Sequence, residues 1–120
     1  MKIAVSAQGK DLDANVDPRF GRAPYFIIID PDTMEYEAVD NKQSLNMPQG
    51  AGVQAAMTVI NQSAEVLLTG NCGPKAFRAF KAANVDVITG VKGTVKEAVE
   101  KFKRGEYKIA SAPSVRSHWS

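Results

Sequence analysis

From residue 51 onward, helical and strand patterns alternate with only short turns between them, and that alternation restricts the fold more than any other feature. Val53, Ala56, Met57 and Ile60 recur at helical spacing and predict a helix over residues 51–62. Residues 65–69 are a short apolar run bounded by turn signals, the pattern of a buried strand. Ala76, Phe77, Phe80 and Ala83 mark a second amphipathic helix, and residues 85–89 a further β-branched strand. Thr94-Val95-Lys96-Glu97 reads as a capping box opening a third helix. Its apolar stripe is Val95, Ala98, Val99 and Phe102, and Gly105 is its expected stop. Strands joined through helices pair in parallel with right-handed crossovers.

The first forty residues follow a different rule. Residues 2–7 alternate around Ile3 and Val5 and read as the opening strand. Residues 25–30, Tyr-Phe-Ile-Ile-Ile-Asp, predict a central strand covered on both faces. Pro31-Asp32-Thr33 is a turn, after which Met34, Tyr36 and Ala38 alternate with Glu35, Glu37 and Val39 as a half-exposed strand. These two strands make an antiparallel hairpin. Residues 8–22 show no periodicity and are punctuated by Gly9, Asn15, Pro18 and Gly21. A loop that long in a small domain is uncommon and often functional. A second irregular stretch, residues 41–52, ends in Pro48-Gln49-Gly50-Ala51-Gly52. The expected fold is α/β: one domain, a mixed five-stranded sheet with an antiparallel meander at one side, and three helices. Residues 1–109 form that domain, and the serine-rich residues 110–120, with Ser111, Pro113, Ser114, Ser117 and Ser120, read as a flexible tail.

Composition removes several function classes. With 120 residues, 44% hydrophobic and 23% charged, the chain is an ordinary globular protein. A net charge of +2 without a Lys/Arg stripe argues against a nucleic-acid partner. No apolar run approaches membrane-spanning length, and the start of the chain lacks signal-peptide form. One cysteine excludes an intrachain disulfide, so a cytoplasmic location is expected.

The chemistry concentrates in Gly70-Asn71-Cys72-Gly73-Pro74. A strand that hands over to a helix through glycines leaves free backbone N–H groups at the helix start, a geometry suited to anions. Pro74 fits the first helical turn, where its missing N–H costs little. A thiol at that position is expected to have its thiolate favoured, which suits a metal or sulfide ligand. A small buried side chain is the competing reading of Cys72, at even weight. Arg19 and Arg22, flanking Phe20-Gly21, are strong anion partners. Ligands in open α/β sheets bind beyond the carboxyl ends of strands, and four glycine-bearing segments are expected to meet there: residues 8–22, 48–52, 70–74 and 90–93. Asp11, Asp13 and Asp17 lack calcium-loop spacing. His118, the one histidine, stands in the tail beside Trp119, so no Ser-His-acid or Cys-His arrangement is formed. Neither a Walker loop nor a Gly-x-Gly-x-x-Gly fingerprint is present.

Several motifs occur in order: Phe20-Gly21-Arg22-Ala23-Pro24-Tyr25-Phe26, then Gly50-Ala51-Gly52, then Gly70-Asn71-Cys72-Gly73-Pro74-Lys75-Ala76, then Gly93-Thr94-Val95-Lys96-Glu97-Ala98 with Gly105-Glu106. The set resembles the dinitrogenase iron–molybdenum cofactor biosynthesis family, which includes NifX-like proteins, NifB C-terminal domains and small stand-alone members. The resemblance runs from Met1 to about Ile109. It implies a ribonuclease-H-like fold with strand order 3-2-1-4-5. It also implies non-catalytic binding or carrying of an anionic iron–sulfur or molybdenum-containing cluster. Carried over by position, Arg19, Phe20, Gly21, Arg22, Gly50, Gly52, Asn71, Cys72 and Gly73 would line the site, with Cys72 the metal ligand. Many relatives place a histidine where this chain has Arg19, which removes one candidate ligand and keeps the positive charge.

Two functions of different class follow. The first is a carrier of an anionic metal–sulfur cluster, either iron–sulfur or iron–molybdenum in type. The second is an interaction module that docks on a cluster-assembly protein, motivated by the incomplete ligand set. A nuclease, which fold analogy alone would raise, needs carboxylates clustered on strands, and residues 2–7 carry none.

Overall fold

The computed structural model describes residues 1–42 and 50–114. Its sheet has five strands: β1 (Ile3–Ala7), β2 (Tyr25–Ile29), β3 (Tyr36–Asp40), β4 (Val66–Leu68) and β5 (Asp86–Ile88). Three α-helices are found among the described residues: α1 (Ala51–Asn61), α2 (Pro74–Ala82) and α3 (Val95–Lys103). The strand order is β3-β2-β1-β4-β5. β1 pairs antiparallel with β2 and parallel with β4, and β4 pairs parallel with β5. The expected α/β class, strand order and mixed sheet are therefore present. Pro48 and Gln49 of the second irregular stretch, and Val115, Arg116, Ser117, His118, Trp119 and Ser120 of the tail, lie outside the described residues.

Alternation of side chains across β1 divides the core in two. Ala4 faces one cluster with Phe26, Ile28, Leu67 and Val87, covered by α1 and α2 through Ala55, Ala56, Val59, Phe77 and Phe80. Ile3 and Val5 face the other with Ile27, Ile29, Leu68 and Ile88, covered by α3 through Val95, Ala98 and Val99. All five residues of β1 are buried, as expected for a strand with helices on both faces.

Two sequence expectations need correction. The stripe of Val53, Ala56, Met57 and Ile60 is only partly the buried face of α1: Ala56 is buried and Ile60 packs partly buried on the core, whereas Val53 and Met57 are 38% and 45% exposed. Gly52, Ala55 and Val59 complete the buried face with Ala56. Small residues on that face let α1 approach α2 and the Phe20–Arg22 turn, and the larger side chains are left outside. The second correction concerns Met34, which lies in a turn (φ 63) rather than in β3. The Asp30 carbonyl accepts the Met34 N–H at 2.7 Å, and Asp30 Oδ1 accepts the Asp32 N–H at 2.9 Å. Those bonds widen the hairpin turn and delay the strand to Tyr36.

The capping box on α3 is formed as read. Thr94 Oγ1 accepts the Glu97 N–H at 3.1 Å, and Glu97 Oε1 accepts the Thr94 N–H at 2.9 Å. The Thr94 backbone N–H first, and then the Thr94 hydroxyl, hold the Glu97 carboxyl below its ordinary 4.5. A lowered folded-state value stabilises above the unfolded value and is lost as pH falls through the folded one. In thermal melts against pH, the advantage of the parent over Glu97→Gln should be full above pH 4.5 and shrink below it.

Candidate functional site

The carboxyl ends of β1, β4 and β5 share one edge of the sheet. Ala7 pairs with Tyr25 and Tyr25 with Asp40, so β2 begins and β3 ends at that same edge. The four glycine-bearing segments read from the sequence therefore have their described parts there. The 8–22 segment is not a free loop. Isolated bridges tie Val16 to Ala7, Asn15 to Thr94 and Arg19 to Asn71, and Phe20–Arg22 is a 3-10 turn. The Gly90 N–H also donates to the Gly70 carbonyl at 2.8 Å.

The junction between residues 17–20 and the β4–α2 turn is built from short contacts. A Cβ on Gly70 would stand 2.6 Å from Pro18 Cα, so only glycine admits this approach. The Asn71 side-chain amide donates to the Pro18 carbonyl at 3.1 Å, and the Phe20 N–H donates to the Asn71 carbonyl at 3.2 Å. Beneath them, the Ser6 hydroxyl donates to the Asp17 carbonyl at 2.9 Å. That leaves Ser6 Oγ as the acceptor for Thr69 Oγ1, 2.7 Å away. Asp17 Oδ1 accepts the Arg19 N–H at 2.9 Å. Phe20 is buried, stacked on Phe26 and edge-on to Phe80, each 5.2 Å between ring centroids.

This anchoring sorts the loop's charges. Leu12 and Val16 belong with α3, so Asp11 and Asp13 sit in the stretch on that side. Phe20 belongs with α1 and α2, which places exposed Arg19 and half-buried Arg22 on their side.

The helix starts at this edge are not equivalent. Gly50 (φ 77) is the N-cap of α1 and Gly73 that of α2. Neither has a capping side chain, and neither helix has an acidic residue in its first turn. Helix starts without such caps keep N–H donors and positive dipole ends available to an anion. α3, whose capping box supplies both partners, does not. Among the nine residues predicted for the site, Arg19, Phe20, Gly21, Asn71, Cys72 and Gly73 are drawn together directly. The α1 start, with Gly50 and Gly52, lies against the Phe20–Arg22 turn.

Cys72 departs from the expected chemistry. It is 1% exposed and belongs to the apolar cluster of Phe20, Phe77 and Phe80. Its Sγ lies 3.7 Å from the Gly73 carbonyl as donor. Burial pushes the thiol from 9.0 up to about 12, so desolvation overrides the helix start that was expected to favour thiolate. In this conformation Cys72 is a neutral, covered thiol. No group of three or more His, Cys, Asp or Glu suited to a metal ion occurs among the described residues.

Four participants escaped the sequence reading. Ser6 and Thr69 were legible as hydroxyls ending apolar strands. Buried Asn41, which donates to the Ala23 carbonyl at 2.8 Å, had only its place after a strand. Ser114, bonded to the Cys72 backbone, had no signal within a serine-rich stretch.

Residues 1–105 match the family described as dinitrogenase iron-molybdenum cofactor. The chain belongs to that family. Its fold is also that of the apo form of the orange protein from Desulfovibrio gigas, 45% identical with a TM-score of 0.93, the match covering 95% of this chain and 96% of that one. A Thermotoga protein of the DUF35 family, provisionally assigned to NifB, is 33% identical with a TM-score of 0.81 over 95% and 97% of the two chains. An uncharacterised protein of Methanocaldococcus jannaschii is 28% identical over 109 residues, 88% of each chain. No helix of the described residues is long and apolar enough to cross a membrane.

Two outcomes test this geometry. Gly70→Ala should lower stability by about 1–3 kcal/mol, the range for forcing an atom into a packed contact, measured by denaturant unfolding. For Cys72 the raised value stabilises fully below 9.0 and is lost as pH rises toward about 12. A Cys72→Ala protein should accordingly lose less stability than the parent across that alkaline window.

Proposed function

We propose that this protein carries an anionic metal–sulfur cluster of the iron–sulfur or iron–molybdenum type, without catalysing a reaction on it. The observation that carries the reading is that the Arg19–Arg22 turn and two glycine-capped helix starts lie together at one edge of the sheet. The family and the orange protein relative support it. A preassembled cluster brings its own sulfides, so it needs charge and N–H donors more than protein ligands, which is what this edge presents. A free metal ion needs a full ligand set, and the described residues do not supply one. Residues 19–22, the Gly50–Gly52 start and Asn71-Cys72-Gly73 would hold the cargo. The guanidinium groups would balance its charge, and the backbone donors would orient it. Cys72 would serve as metal ligand only in a state that uncovers its thiol.

A second reading, a module that docks on a cluster-assembly protein, has exposed Val53 and Met57 in its favour, one turn apart on α1.

Anaerobic reconstitution with iron, sulfide and molybdate, followed by absorption and metal analysis, separates the two. The parent should take up metal stoichiometrically, and the Arg19→Ala, Arg22→Ala protein should bind at least about tenfold more weakly, as for the loss of charge-assisted bonds. Raised salt should weaken uptake further. Absence of uptake by the parent would sink the carrier reading and leave the docking module.

A further inference from the structure

The backbone of Cys72 is bracketed by a residue from the far end of the chain. Ser114 Oγ accepts the Cys72 N–H at 2.9 Å, and the Ser114 N–H donates to the Cys72 carbonyl at 3.0 Å. The approach is set four residues earlier, where the Ala110 N–H donates to the Val87 carbonyl of β5 at 2.7 Å. Ala110 packs, partly buried, on the same apolar cluster that contains Cys72. Residues 110–114 thus run from the edge strand of the sheet onto the β4–α2 turn.

Two physical consequences follow. The Cys72 N–H stands immediately before Gly73, the N-cap of α2, and so belongs to the donors which that helix start would offer an anion. Ser114 consumes it. The segment is also weakly held. Among the described residues its anchors are a few hydrogen bonds and one small apolar side chain, and residues 111–114 are all exposed. Segments with so little buried apolar surface open locally at much lower cost than the whole domain unfolds.

We propose that residues 110–114 are a releasable strap, closed by Ser114 on Cys72, and that an anionic metal–sulfur cargo is admitted when Ser114 lets go. This inference rests on the carrier reading of the same edge. Release returns the Cys72 N–H to the edge beside the N–H groups of Gly73 and Lys75. It also removes Ala110 from the apolar cluster that covers the thiol. A buried cysteine and a ligand cysteine are then two states of one residue, separated by the strap.

The test uses the full chain and two variants. Ser114→Ala removes the hydroxyl acceptor, and Ser114→Pro removes both the acceptor and the N–H donor. Amide exchange of Cys72, read by NMR, should quicken about fivefold in Ser114→Ala and more in Ser114→Pro, as for one and two lost neutral hydrogen bonds. Strand amides should keep the parent rates. Anaerobic uptake of iron, sulfide and molybdate should accelerate in the same order. Unchanged Cys72 exchange in Ser114→Pro overturns the strap. Faster exchange with uptake no faster than the parent's overturns its control of access. Exchange that follows the predicted order while none of the three proteins takes up metal establishes the closure and removes the carrier reading instead.

Discussion

Close approach between Gly70 and Pro18 is the contact on which the rest of this edge depends. With no side chain at residue 70, the backbone of the long first loop lies directly on the turn that leaves β4. Asn71 then bonds across the junction to Pro18 and Phe20, and the bonded hydroxyls of Ser6 and Thr69 tie it to the ends of two parallel strands. Phe20 is driven into the apolar layer between the sheet and α1 and α2, where burial of one phenylalanine is worth roughly 1.5–3 kcal/mol. The arginines on either side of that anchor are therefore delivered by a hydrophobic contact. An exposed salt bridge, worth about 0–1 kcal/mol, would have positioned them poorly.

The same economy explains how the helix starts differ. α3 must hold the far side of the sheet and is closed by Thr94 and Glu97, which use up its first donors. α1 and α2 begin with glycines and have no carboxylate in their first turns, so among the described residues no side chain caps their positive ends. Fold stability and the proposed anion binding are thereby assigned to different helices. Cys72 stands just before the α2 start: its N–H is held by Ser114, and its side chain belongs to the core. Desolvation keeps the thiol neutral, so charge at this edge comes from guanidinium groups and oriented peptide dipoles.

Much of this was legible in the sequence because periodicity and turn chemistry are local. The alternation after residue 51 required parallel strands, and the capping box at Thr94 stated where α3 begins. Failures arose where a particular bond or packing partner overrode the periodic pattern. Val53 and Met57 shared the helical spacing of Ala56 and Ile60, yet the face that α1 buries was chosen by how closely it had to approach α2 and Phe20, which favoured Gly52 and Ala55 beside Ala56. Met34 fitted the alternation of a strand, but Asp30 bonds captured it in the turn. The thiolate expectation for Cys72 considered the helix start and could not weigh Phe77 and Phe80 packed around it. The candidate edge was readable as four glycine-bearing segments, whereas the bond from Ser114 spans 42 residues and carries no local signature.

The most direct measurement of the central claim is backbone amide chemical-shift mapping while the anaerobic protein is titrated with molybdate and sulfide. The account predicts that the largest shifts cluster at Arg19, Gly21, Arg22, Gly52, Asn71 and Gly73, with α3 and the opposite end of the sheet around Lys2, Asp30 and Glu37 unmoved. Saturable shifts confined to that opposite end, or spread evenly over the exposed lysines, would contradict it.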